Sequence, residues 1–331
     1  MRKWNWLLVV LLLLIVYLLG PRPQTPVYST AMPVVPANPA ALMKYVANEE
    51  AQHKVRKNNE ARIVWFNDSL KNVTPISIVY LHGFTASQEE GNPVHRSIAK
   101  EFGCNLYLSR LAEHGIDTTE TLVNLTADKY WESAKQALAI GRQLGKKVIL
   151  MGTSTGGTLA LKLAAEYPDV YALILLSPNI EINDPNAWLI NNPWGLQIAR
   201  LVKGGKYVDS KDDLRPEYLQ YWTPRYRIEG AVALEELLET TMTKTTFQRI
   251  HQPTLVMYYY KNDVQRDSVV RVSAIRSMYE ELGTPVDLKR AIPIPNAGNH
   301  VIGSWIKSKD VPGVESATEQ FLTEVLHLKK Q

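Results

Sequence analysis

The chain has 331 residues, 45% hydrophobic and 21% charged, with a formal net charge of +4 and a single cysteine. That supplies one large core or two smaller ones and shows no compositional sign of disorder. The charge forms no long basic run, which argues against a nucleic-acid partner, and one cysteine excludes an intramolecular disulfide or a thiolate zinc site.

Arg2 and Lys3 precede an unbroken apolar run from Leu7 to Leu19, with Trp4 and Trp6 at its edge. The run falls between the about 7–15 residues of a signal-peptide core and the about 17–25 of a spanning helix. Gly20-Pro21-Arg22-Pro23 follows at once, and the nearest tolerable cleavage site, Ser29-Thr30-Ala31, comes late. Residues 1–20 are therefore expected to be an uncleaved membrane anchor with the rest of the chain outside the cytoplasm. Cleavage would instead give a secreted or periplasmic protein. Recurrent prolines from Pro21 to Pro39 predict an extended tether over 21–40, and a polar helical lead-in follows to about Asn58. Asn67-Asp68-Ser69, Asn72-Val73-Thr74 and Asn124-Leu125-Thr126 are glycosylation triplets, meaningful only in a eukaryotic secretory host.

Strand-like and helix-like segments then alternate. Strands are predicted at Ile76–Leu81, Leu106–Leu108, Val148–Met151, Ala172–Leu176, Leu255–Tyr260 and Val286–Ile292. Helices are predicted at Asp128–Leu144, Thr158–Tyr167, Ser268–Leu282 and Thr318–Leu328. Cys104 opens the apolar run to Leu108 and is expected to be a small buried hydrophobe. The alternation predicts an α/β fold whose mainly parallel sheet is covered on both faces. Its two halves would be residues 41–182 and 251–331. Between them, residues 183–250 lack a convincing buried strand and are rich in rings: Trp188, Trp194, Tyr218, Tyr221, Trp222 and Tyr226. Such an insertion predicts a helical cap, in which Trp188, Trp194 and Trp222 would line an apolar pocket.

The strongest local signal is Gly152-Thr153-Ser154-Thr155-Gly156-Gly157, between a predicted strand and a predicted helix. A serine on so sharp a turn projects clear of the scaffold, and glycines at 152 and 156 leave room for it. The helix N-terminus at Thr155 offers a free N–H to an oxyanion. His82-Gly83-Phe84-Thr85, closing an earlier strand, places the Phe84 N–H where a second donor is needed.

A nucleophilic serine needs a base, and the base an orienting acid. Of seven histidines, His53, His95, His114, His251 and His327 lie on helices, before the serine or at a strand's start. His300, in a loop after the last predicted strand, is the candidate base. Asp263 follows the Leu255–Tyr260 strand through Lys261-Asn262 and is the preferred acid. Asp267 is its rival, with a competing role as cap of the next helix.

The order Ser154…Asp263…His300 resembles that of the α/β-hydrolase superfamily, closest to its carboxylesterase and monoacylglycerol-lipase-like branch. Leu81–Thr85, Leu111–Gly115, Gly152–Gly157, Gln252–Val256, Asn262-Asp263 and Gly298–His300 carry the resemblance, spanning about Ile76 to Val301. Glu113 stands where the first glycine of Gly-His-Gly is usual, and Thr155 where Met, Leu or Gln is usual. The resemblance implies a serine hydrolase that cleaves small acyl esters through an acyl-enzyme and needs no cofactor. The sequence shows no metal cluster of histidines and carboxylates. A thioesterase or amidase with the same triad, or a non-catalytic binding module on the same fold, remains open. Epoxide hydrolase and dehalogenase chemistry would need an aspartate at the elbow, where Ser154 stands.

Overall fold

The computed structural model describes residues 2–211 and 213–331. Met1 and Asp212 lie outside the described residues, as do the side chains of Arg2, Lys3, Trp4 and Asn5, on which the orientation of the N-terminus was to rest.

The chain begins with α1 (Arg2–Leu18) and α2 (Pro39–Ala51), then β1 (Arg62–Val64), β2 (Thr74–Leu81), α3 (Val94–Glu101) and β3 (Asn105–Leu108). It continues with α4 (Ala127–Leu144), β4 (Gly145–Thr153), α5 (Thr155–Glu166) and β5 (Ala172–Leu176). After β5 come α6 (Gly195–Lys203), β6 (Tyr207–Asp209), α7 (Pro216–Tyr221), β7 (Arg225–Arg227), α8 (Ile228–Thr241) and α9 (Lys244–Gln248). The last part holds β8 (Thr254–Tyr258), α10 (Val272–Glu281), β9 (Lys289–Pro293) and α11 (Val311–Gln320).

Seven strands form one sheet in the order β1-β3-β2-β4-β5-β8-β9, and only β1 runs antiparallel. Because side chains alternate across a strand, the apolar runs supply both faces. Val79, Leu81, Leu150, Leu173, Leu175 and Val256 pack under α4, α5 and α10. Ile78, Tyr80, Ile149, Met151, Ile174 and Leu255 pack with α3 and α11 on the other side. Local signals start the helices: Asn38 caps α2 by accepting the Ala41 N–H with Pro39 at the first turn, and Thr126 caps α4 by accepting the Lys129 N–H. Cys104 is buried, which pushes its thiol up to about 12. Between β5 and β8, β6 and β7 pair as a separate antiparallel ribbon beside α6, α7, α8 and α9.

The N-terminus departs from expectation. α1 is 17 residues long, about 25 Å at 1.5 Å per residue, against a hydrocarbon core of about 30 Å. Among the described residues no helix is long and apolar enough to cross a membrane. The expected anchor is thereby overturned, and with it the placement of the body across a membrane.

Nor does the proline-rich segment hang free. It is extended, and an extended proline-rich chain leaves its carbonyls unpaired. Donors on the body take them: Trp131 Nε1 donates to Ser29 O at 2.6 Å, Tyr167 Oη to Thr30 O at 2.9 Å, and Lys135 Nζ to Ala31 O at 2.8 Å. Tyr28 meets the Trp131 ring edge-on, with the Lys162 ammonium over both rings.

Candidate active site

β4 and α5 are joined by a single residue, Ser154, whose backbone sits at φ 54° and ψ −118°. A non-glycine residue there is strained, and the surroundings must hold it. Its N–H donates to Leu176 O at 3.0 Å, and its carbonyl accepts the N–H groups of Gly157 and Asn179. The elbow glycines are sterically required: a Cβ on Gly156 would lie 1.9 Å from Leu81 O, and one on Gly152 would lie 2.4 Å from Gly156 O.

The turn after β2 packs directly on this elbow. A Cβ on Gly83 would approach Ser154 Cβ to 3.1 Å. His82, fully buried, fixes the turn from behind. Its Nε2 accepts the Leu111 N–H at 3.0 Å, so its Nδ1–H donates to Gly83 O at 2.9 Å. Burial, and then neighbouring His114, hold its pKa well below the ordinary value, so it stays neutral. Neither the Phe84 nor the Thr155 N–H is committed to a backbone carbonyl of the surrounding turns. His114 supports the same region, donating from Nδ1 to Ala112 O at 2.8 Å. Glu113, where glycine was expected, has φ 64°, the left-handed conformation that favours glycine, and ion-pairs with Lys129 at 3.1 Å.

His300 reaches the same cavity wall as Ser154. Its Nδ1 lies 2.6 Å from Asp267 Oδ2, and its Nε2 is buried without a hydrogen-bond partner. Burial works to lower the His300 pKa, but the charge and hydrogen bond of Asp267, with Glu90 behind them, outweigh it and raise it. For Asp267, burial works upward and is outweighed by His300 and the Val270 and Val269 N–H groups, which hold it below the usual carboxylate range.

The acid preferred from sequence is corrected here. Asp263 is exposed, with 85% of its side chain open to solvent, and it accepts the Tyr260 hydroxyl at 2.9 Å. The cause is a small hairpin after β8: Tyr260 bridges Arg266, and Lys261 N–H donates to Gln265 O. Asp263 rides on its tip, while the return leg brings the Asp267 N–H back to Tyr259 O at 3.0 Å. The capping duty assigned to Asp267 also dissolves, because α10 starts at Val272, and Oδ1 accepts the Val269 and Val270 N–H groups of a turn instead.

The cavity over Ser154 measures about 710 Å³. Phe84, Ile190, Tyr218, Trp222, Tyr226 and Leu234 give it an apolar wall. Of the three tryptophans expected there, only Trp222 lines it. Trp188 is 53% and Trp194 36% exposed, and Trp194 donates from Nε1 to Val16 O of α1. Rings at the insertion's outer edge thus meet solvent and the N-terminal helix.

Sequence reasoning missed Glu90, a buried carboxyl on the cavity wall. Two adjacent acids in Gln88-Glu89-Glu90-Gly91 were the available signal, but nothing in their spacing says which one turns inward. Among the described residues no group of three or more His, Cys, Asp or Glu could hold a metal ion.

Comparison with known proteins bears on the same residues. The profile of the Hydrolase_4 family, described as serine aminopeptidase, S33, matches residues 114–292, more than half of the chain, including Ser154 and Asp267. A thermostable monoacylglycerol lipase of Bacillus sp. (strain H-257) is 28% identical over 188 residues, covering 55% of this chain and 68% of that protein. Among solved structures, one reported for LipS and LipT, two metagenome-derived lipolytic enzymes, superposes with a TM-score of 0.63 at 15% identity, covering 81% of this chain and 98% of that one. A soluble variant of monoglyceride lipase from Saccharomyces cerevisiae gives 0.60 at 15% identity, covering 82% and 92%. At such identities the structural likeness establishes the α/β-hydrolase fold.

Proposed function

The chain belongs to the Hydrolase_4 family (serine aminopeptidase, S33) and is a lipase- and esterase-like hydrolase acting on ester bonds, and from that premise we propose that Ser154, His300 and Asp267 cleave small carboxylic acyl esters through an acyl-enzyme. One observation carries the assignment: His300 is tied by Nδ1 to Asp267, keeps a buried Nε2 without a hydrogen-bond partner, and lines the same cavity as Ser154. An imidazole so held presents a free base in the correct tautomer.

In the first half-reaction, His300 Nε2 takes the Ser154 hydroxyl proton as Oγ attacks the ester carbonyl. The tetrahedral oxyanion is received by the Phe84 and Thr155 N–H groups. The imidazolium, balanced by Asp267, returns the proton to the leaving alcohol as the C–O bond breaks. Water then repeats the sequence on the acyl-enzyme, releasing the acid and restoring Ser154. The apolar wall of Phe84, Trp222, Tyr226 and Leu234 suits an acyl chain, and residues 183–250 act as a cap that supplies most of it. The name of the Bacillus relative directs the choice of substrate toward monoacylglycerol-like esters.

A fluorophosphonate probe labels the full-length protein at its serine, and Ser154→Ala abolishes both labelling and turnover of a p-nitrophenyl ester series. Labelling that persists in Ser154→Ala removes the assignment. Faster turnover of matched thioesters or anilides than of esters moves the substrate class to those acyl derivatives.

A further inference from the structure

Behind the proposed oxyanion turn lies a carboxyl that the triad does not use. Glu90 is buried beside Ser154 on the cavity wall. Its Oε2 accepts the Gly83 N–H at 2.5 Å and faces the Tyr80 hydroxyl at 3.4 Å. That hydroxyl also lies 2.9 Å from Thr153 Oγ1, on the residue before the nucleophile. A Cβ on Gly83 would meet Glu90 Oε1 at 2.8 Å and Ser154 Cβ at 3.1 Å, so carboxyl, turn and serine share one small volume.

Resting on the mechanism above, we infer that Glu90 is a positioning residue of the reaction, holding the oxyanion turn through the Gly83 N–H on the cavity wall it shares with Ser154 and His300. The Gly83 N–H is the donor next along the chain to that of Phe84. Anchoring it fixes the His82–Gly83 peptide plane, while the His82 Nδ1–H holds Gly83 O of the next plane, the one that carries the Phe84 N–H; donors pre-aimed at a developing charge need no reorganisation during the reaction. A carboxylate is the strongest acceptor available for a backbone N–H, and burial protects that bond from water.

The second role follows from the charges around the site. Tyr80 from β2, Tyr130 from α4, His300 from the loop after β9 and Glu89 from its own turn surround Glu90, with His95 of α3 against Tyr80 and Gly91 and His82 beside Gly83, both imidazoles held low by burial and so neutral. Of these His300 alone becomes cationic, and an ionised Glu90 favours that form. Burial pushes Glu90 up to about 7, against the Gly83 N–H, His300 and Tyr80, which pull it down. An ionised Glu90 and a protonated His300 thus favour each other on the wall they share, and removing the Glu90 charge lowers the pH at which His300 gives up its proton.

Two variants of the full-length protein separate the roles. Glu90→Gln keeps an acceptor for Gly83 and removes the charge, whereas Glu90→Ala removes both. The acid limb of kcat/KM, measured with a short p-nitrophenyl ester, should move toward lower pH by about one unit in Glu90→Gln, with the alkaline plateau kept within a few-fold. Glu90→Ala should lower kcat by about 10- to 100-fold with little change in KM, as expected of a loosened oxyanion donor. An unshifted limb in Glu90→Gln overturns the charge role, and it does so whether or not Glu90→Ala folds. Wild-type kcat in Glu90→Ala overturns the positioning role. Fluorophosphonate labelling of the wild type at Ser154 is run alongside. Its absence would sink the serine mechanism itself, whereas labelling with unchanged Glu90 variants would sink this inference alone.

Discussion

His300 Nδ1 and Asp267 Oδ2 stand 2.6 Å apart, both side chains almost wholly withdrawn from solvent, across 33 residues of sequence. The intervening chain contains α10 and β9, so the contact depends on the parallel pairing of β8 with β9, which sets two neighbouring strand ends side by side. A buried, charge-assisted bond of this length orients the imidazole and supports its protonated form.

The first prediction tests that pair against its rival. Asp267→Asn keeps an oxygen for the Val269 and Val270 N–H groups, so the fold survives. Its amide cannot stabilise the imidazolium and favours the wrong tautomer, and turnover should fall by about 10⁴-fold, the loss known for serine-protease triads. Asp263→Asn alters an exposed side chain and should leave turnover within about two-fold. Ester turnover and Tm of both variants decide it, and collapse in Asp263→Asn alone would reverse the assignment.

The cavity wall gives a second test. Trp222 is buried and stacks on Tyr218, with ring centroids 5.1 Å apart. Trp222→Ala removes part of the acyl wall, so preference along a C2 to C12 ester series should shift while acetyl-ester turnover changes least. Emptying so large a buried volume also costs about 3–5 kcal/mol, seen as a lower Tm. Trp188→Ala, at an exposed position, should change neither; equal losses from both variants would contradict this picture.

A third prediction concerns the N-terminal segment. Removing residues 1–18 takes away side chains that from Trp6 onward stand exposed, and should move Tm by no more than about 2 °C. Removing residues 1–38 also strips the carbonyls of Ser29, Thr30 and Ala31 from Trp131, Tyr167 and Lys135. Water takes the place of the lost carbonyls, and each such hydrogen bond is worth about 0.5–1.5 kcal/mol net, so Tm should drop by several degrees at the usual few degrees per kcal/mol. Equal melting of the two truncations would show that the docked segment adds no stability.

How far the sequence could be read depends on the distance over which each signal acts. Five core strands were legible because a strand buried on both faces has no choice but a continuous apolar run, as in Ala172–Leu176. Ser154 was legible because the clash of a side chain at Gly152 or Gly156 with backbone is a local event. His300 could be reached by elimination. The carboxyl that meets His300 could not, because distance along the chain beyond Tyr260 is not distance in space: the Tyr260–Arg266 bridge folds that length back on itself. The proline-rich segment misled in the same manner: its composition states that it is extended, and the Trp131 and Lys135 donors on α4 and the Tyr167 hydroxyl just after α5 decide where it lies. Glu90 was hidden because inward and outward carboxylates look alike until a Gly83 N–H selects one.

The hairpin after β8 has a practical consequence of its own. Its two legs close on each other before Asp267 is reached, so the tip at Asn262, Asp263 and Val264 is mechanically insulated from the His300 contact. Exposed tips with closely spaced ends accept foreign sequence at small entropic cost. That makes the tip a splice point for an epitope, a fluorophore-bearing peptide or a surface tether.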